Sequence, residues 1–127
     1  MFGHSEAITV EMVSLALDAA SMRHQAIAHN IANVNSPGFA PMRVNFEEQL
    51  GALRSALGNG TPVQHAMLAG VHPVLARAPA VDGLDRTAML DMEVADMAQN
   101  TVQYEALLKA LGKHMAILGA AVNEGKR

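Results

Sequence analysis

The 127-residue chain has no cysteine and no tryptophan, one tyrosine and three phenylalanines. Without cysteine there are no disulfides, no thiol catalysis and no thiolate metal sites. With so few aromatics, the apolar load falls on Ala, Leu, Met and Val, and the first three are strong helix formers. Charge is scarce as well. The formal net charge is −3 and 17% of residues are charged, too little of either sign to indicate nucleic acid or an anionic membrane as partner. No run of about 18 uninterrupted apolar residues occurs, so no transmembrane span is expected. The opening MFGHSEAITVEM lacks a basic n-region and a compact apolar h-region, so no cleaved signal peptide is expected. The length supports one domain, 1–127, with one modest core.

What the chain does have is helical periodicity at both ends. From 5 to 34, Ile8, Met12, Leu15, Ala19, Met22, Ala26 and His29 alternate spacings of four and three, a heptad seam. Ser5 stands where an N-cap is expected. From 87 to 123, Leu90, Val94, Met97, Thr101, Tyr104, Leu108, Leu111, Met115, Leu118 and Val122 repeat the pattern. Gly112 and Gly119 interrupt the propensity of this helix but permit close approach of a neighbour. Phe46, Leu50, Leu53 and Leu57 give a short third helix at 46–57, capped by Asn45 and stopped by Gly58-Asn59-Gly60. Residues 58–86 carry several prolines and glycines and no period, and are expected to form an irregular connector.

The expected fold class is therefore all-α. Long N- and C-terminal helices pair as an antiparallel-type coiled coil, with a short third helix and an irregular middle. One narrow seam per helix leaves much Ala, Leu and Met surface uncovered. That surplus points to further helices from other molecules, including other copies of the chain.

The stretch NIANVNSPGF, 30–39, concentrates the turn chemistry. Residues 35–45 are expected to form a turn and an extended segment. Ser36-Pro37-Gly38-Phe39 fits a type II turn, with proline fixing φ at its second position and glycine supplying positive φ at its third. Asn33 or Asn35 is expected to leave the helix through a left-handed conformation. On these grounds alone the corner is a helix stop.

Chemistry is harder to find. His24 and His29 are five apart and share no helical face suited to a metal pair, and His65 and His72 have no acidic cluster beside them. No nucleophile with a base, phosphate loop or carboxylate pair is recognisable, so no catalytic, cofactor-binding or metal residues are expected. The polar patch Gln99, Asn100, Gln103 and Tyr104 is either a solvated face or a set of register-setting hydrogen bonds between subunits.

The block HNIANVNSPGF resembles the A-N-x-x-T-P-G-Y motif near the N-terminal end of bacterial flagellar rod and hook proteins. Ala32, Asn33, Ser36, Pro37, Gly38 and Phe39 fill it, with Ser for Thr and Phe for Tyr. MRVNFEEQL is similar to the segment that follows the motif in the proximal rod protein of the B type. MAQNTVQYEALLKAL, 97–111, resembles the C-terminal helix of that protein. The run VDGLDRTAMLDME departs from the family, placing the acidic start of the last helix at Asp85 or Asp91.

The resemblance implies a structural rod subunit, not an enzyme, with no cofactor, no nucleic acid and no small-molecule substrate. It implies export through the flagellar type III apparatus into a periplasmic rod that transmits motor torque. It implies as partners other copies, neighbouring rod proteins, and membrane-ring, rod-adaptor and export-gate components. The corresponding assembly seam is Met12, Leu15, Met22, Met97, Tyr104, Leu108, Leu111, Met115 and Leu118. The alternatives are a proximal rod protein of the C type, or a cytoplasmic helical adaptor or export chaperone.

Overall fold

The computed structural model describes residues 4–45, 55, 58–60, 62, 65–79, 83 and 85–125, with backbone alone at 4–6 and 65. In chain order the elements are α1 (His4–Asn33), β1 (Met42–Asn45), α2 (His65–Ala69), β2 (Val74–Arg77) and α3 (Arg86–Gly125). The chain is mainly helical. The expected helix at 46–57 lies outside the described residues apart from Ser55. At its far end the Asn59 N–H donates to the Ser55 carbonyl at 3.0 Å, and Gly60 takes a φ of 71°.

The 30 residues of α1 and the 40 of α3 give rods of about 45 and 60 Å. Neither contains proline. They pack antiparallel: Ala20 and Arg23 meet Asn100, whereas Asn30 meets Glu93. Buried Ala19, Ala20 and Ala26 keep the contact face of α1 thin. Asp85 opens α3 as its N-cap. Its Oδ1 accepts from the Thr87 N–H at 2.9 Å and its carbonyl from the Met89 N–H at 3.0 Å, covering donors that a helix start leaves without partners. Of the two acidic starts read from the sequence, Asp85 does the capping. Ser5 lies inside the first turn of α1, one residue past its start.

Two readings of the middle need correction. The stretch 58–86 is not wholly irregular, since it contains α2 and β2. β1 and β2 pair antiparallel, with Arg43 opposite Ala76 and Val44 opposite Leu75. The four-residue strands lie about 30 positions apart in the chain, so no local alternation announces the pair. The second correction concerns the corner. No described non-glycine residue has positive φ, so neither Asn33 nor Asn35 is left-handed. α1 ends instead with the Ser36 N–H donating to the Asn33 carbonyl at 2.9 Å. The reversal falls on Gly38, φ 67°.

The core is small. Ile8 of α1 packs with Leu68 of α2 and Val71, and Leu15 and Met67 lie against them. Leu68 is 1% exposed and is among the largest side chains sealed from solvent.

Candidate assembly site

On α3 the residues turned toward α1 are Glu93, Met97, Asn100, Tyr104, Leu107, Leu111, His114 and Leu118, all buried or half-buried. They alternate four and three, so this is a heptad seam. It shares Met97, Tyr104, Leu111 and Leu118 with the seam read from the sequence. The intervening positions differ by one residue. Glu93, Asn100, Leu107 and His114 are buried or half-buried, while Val94, Thr101, Leu108 and Met115 are exposed. Thr101 and Leu108 rim a groove beside Ala20, Ser21 and His24 of α1. Apolarity alone favours the second set, which is why the sequence misplaces the seam within the chain. Glu93 and Asn100 pack there because α1 and β1 present polar partners to them, whereas His114 Nε2 is buried with no hydrogen-bond partner among the described residues.

Asn30 is the hub of those partners and is fully buried. Its Nδ2 donates to the Met42 carbonyl at 3.0 Å and its Oδ1 accepts from the Met42 N–H at 2.7 Å. The side-chain amide thus replaces a strand. The Ala78 N–H donates to the Pro41 carbonyl across the ladder at 2.8 Å. Alternation along an antiparallel pair then turns the backbone groups of Met42 away from β2, and Asn30 meets them there.

Asn30 Nδ2 also donates to Glu93 Oε1 at 3.2 Å, and Arg43 Nη1 donates to the same oxygen at 2.9 Å. The Glu93 side chain is 4% exposed and that of Arg43 49%. Glu93 Oε2 is buried with no hydrogen-bond partner among the described residues. One oxygen therefore ties three elements together and the other is left bare. The half-exposed Arg43 limits the ion pair to about 1 kcal/mol.

Two turns further along α3, Asn100 Nδ2 donates to the Ala20 carbonyl at 2.8 Å, and its Oδ1 accepts from Arg23 Nη1 at 3.3 Å. The polar patch noted in the sequence therefore contains a register-setting residue, and its bonds are made inside the chain. Gln99 and Gln103 are exposed and Tyr104 is half-buried. Two buried clasps, Asn30 of α1 on Glu93 and Asn100 of α3 on Ala20, engage α3 one heptad apart. They leave α1 and α3 a single register, because any slip strands the amides.

The motif at the corner lies at the surface. Ala32, Ser36, Pro37 and Gly38 are exposed, and Asn33 and Phe39 are half-buried. Asn33 Nδ2 donates to the His29 carbonyl at 2.8 Å, so it bonds back onto its own helix. A Cβ built on Gly38 meets nothing within 4 Å among the described residues, and its positive φ is what favours glycine there.

The remaining seam residues divide. Leu15, Met22, Met97, Tyr104, Leu111 and Leu118 are half-buried within the chain. Met12 is 38% exposed, Leu108 45% and Met115 52%. Met12 and Leu15 line an apolar groove of about 590 Å³ with Leu68, Val71 and Leu107. Among the described residues no three His, Asp or Glu side chains gather as a metal site. No helix of the described residues is long and apolar enough to cross a membrane. Sequence reading missed Asn30 and Glu93; the available signal was polar residues at three of the four heptad positions 93, 100, 107 and 114, the third position being Leu107.

No family model matches the chain. Among curated proteins it is 28% identical over 123 residues to flagellar basal body rod protein FlgB of Yersinia enterocolitica, covering 87% of this chain and 90% of that one. It is 24% identical over 123 residues to the protein of that name from Bacillus subtilis strain 168, covering 93% and 95%. Against the protein of that name from Escherichia coli K12 the identity is 28% over 111 residues, covering 76% and 79%.

Proposed function

We infer that this chain, which resembles the FlgB flagellar basal body rod proteins along most of its length, is a structural subunit of the flagellar basal-body rod. The observation that carries this reading is a similarity that spans the greater part of the chain in relatives from several bacteria. The geometry supports it. Two long helices from opposite ends of the chain form one antiparallel rod around a minor core. Large apolar side chains stay on the outside of α3, where a subunit of a larger assembly keeps them.

In this reading the chain passes unfolded through the flagellar type III apparatus and assembles in the periplasm. There it meets other copies, neighbouring rod proteins and the components of the membrane ring, rod adaptor and export gate. Contacts run head to tail so that the structure continues along its axis, and the finished rod carries torque. The work is mechanical, with no catalytic step. The turn residues Ala32 to Phe39 set the direction in which the chain leaves α1, and the seam residues hold the helices and their neighbours.

The test is deletion of the coding sequence in the bacterium that carries it. Loss of swimming and of external filaments, restored by a plasmid copy, is the expected result. A swimming deletion strain overturns the reading. A chain that stays in the cytoplasm as a stable helical monomer or dimer favours the adaptor alternative.

A further inference from the structure

α3 carries a second heptad stripe beside the seam that meets α1; its middle residues Thr101, Glu105 and Leu108 rim a groove against Ala20, Ser21 and His24 of α1. Val94, Leu108, Met115 and Val122 are 53%, 45%, 52% and 43% exposed. Between the last three stand Gly112 and Gly119, so 108, 112, 115, 119 and 122 again alternate four and three. The stripe continues back through Glu105, Thr101 and Ala98 to Val94. It is offset by one residue, about 100° of helix rotation, from the seam on α1. From Leu108 to Val122 large and small side chains alternate along it as knobs and holes do, and Glu105 is the one charged residue on the stripe.

The glycines carry the point further. A mid-helix glycine costs about 1 kcal/mol relative to alanine. A Cβ at Gly112 or Gly119 meets nothing within 4 Å. Nothing among the described residues requires either glycine, and the close approach they permit suits a neighbour outside the chain. An alternating stripe of this kind fits another α-helix.

Charge selects which helix. In the first half of α3 the exposed charges are Arg86, Asp91, Asp96 and Glu105, net acidic, and in the second Lys109, Lys113 and Glu124, net basic. One half of the helix complements the other half of an identical helix. We propose that the outer stripe of α3 docks the α3 of a second copy, parallel and displaced by three heptads. The displacement is about 30 Å. It sets Val94 of one copy on Met115 of the next and Ala98 on Gly119. Asp91 then falls on Gly112, between Lys109 and Lys113. An antiparallel pairing satisfies the same charges but closes after two copies, whereas a rod subunit needs a contact that continues. To this extent the inference rests on the rod reading.

Two experiments in cells that build flagella test it. The chain has no cysteine of its own, so a Val94→Cys/Met115→Cys chain forms disulfides only where those sites meet. Oxidation of isolated basal bodies should give a ladder of dimers, trimers and longer species. A doubly linked dimer alone, or links only to a different protein, overturns parallel self-docking while the rod reading stands. If the unmodified chain is absent from basal bodies, both fail.

The second experiment covers a cysteine chain that does not assemble. Lys109→Glu/Lys113→Glu should reduce incorporation about tenfold, the effect of losing two exposed ion pairs of about 0.7 kcal/mol each. Adding Asp91→Lys/Asp96→Lys to the same chain should restore most of it, because both sides of a self-contact are then exchanged. Helix content of each variant is checked by circular dichroism. No loss on reversal, or no rescue at full helix content, overturns the proposal.

Discussion

Asn30 pairs with both backbone groups of Met42, twelve residues further along the chain, giving 3.0 Å to the carbonyl and taking 2.7 Å from the N–H. A helix side chain thereby completes the edge of a two-stranded ribbon. The same amide reaches Glu93 on α3. One residue therefore fixes where the chain returns after the corner and how the last helix sits.

Replacing Asn30 by Ala strands the N–H and the carbonyl of Met42 and removes a donor from a buried carboxylate. Each orphaned buried group costs about 1–3 kcal/mol. A net loss of about 2–4 kcal/mol is expected in urea unfolding of the purified chain. A loss under 1 kcal/mol would show that water replaces the amide there.

Asn30 and Glu93 should be coupled energetically. In a double-mutant cycle with Asn30→Ala and Glu93→Gln, the coupling should exceed about 0.5 kcal/mol, as expected for residues in one hydrogen-bond network. The pair Arg23 and Glu93, which shares no contact among the described bonds, serves as the control and should be additive. Equal coupling in both pairs would contradict a local clasp.

Glycines at two places should respond with opposite signs. Gly38 holds a φ of 67°, so Gly38→Ala should cost about 1–2 kcal/mol, and Gly38→Val more. Gly119 sits mid-helix in open space, so Gly119→Ala should stabilise the isolated chain by about 0.5–1 kcal/mol. Thermal unfolding of the two alanine variants decides it. Stabilisation by Gly38→Ala would remove the turn assignment.

The two faces of α3 should separate by phenotype. Leu111→Glu places a charge on the α1 seam and should lower monomer stability by several kcal/mol along with incorporation. Leu108→Glu lies on the outer stripe and should leave stability within about 1 kcal/mol while still reducing incorporation. Denaturant midpoints of the purified variants, set beside their yield in isolated basal bodies, measure both. Equal destabilisation by the two would place Leu108 in the intrachain contact after all.

The contrast between Leu108 and Asn100 shows what was legible in the sequence. Heptad spacing revealed both long helices and the positions of Met97, Tyr104, Leu111 and Leu118, because 3.5-residue periodicity is a local property. The direction of their pairing is fixed instead by long-range bonds such as Asn30 to Glu93 and Asn100 to Ala20. Nor could the spacing choose between the stripe through Leu108 and the stripe through Asn100. The choice depends on the Ala20 carbonyl and Arg23, eighty and seventy-seven residues away. β2 was hidden for the same reason: Val74 to Arg77 is a strand only because Met42 to Asn45 lies beside it. The glycine of the corner could be read, since Pro37-Gly38 carries its own turn chemistry. The buried role of Asn30, in the same motif, depends on Met42 and Glu93 and could not.

The most direct measurement of the structural role is the location of the chain in intact basal bodies purified from the bacterium that makes it. Mass spectrometry of the washed rods should find the chain in several copies per particle, and antibody labelling should place it on the rod near the membrane ring. Complete, functional basal bodies without the chain, with all of it recovered in the soluble fraction, would contradict the rod reading outright.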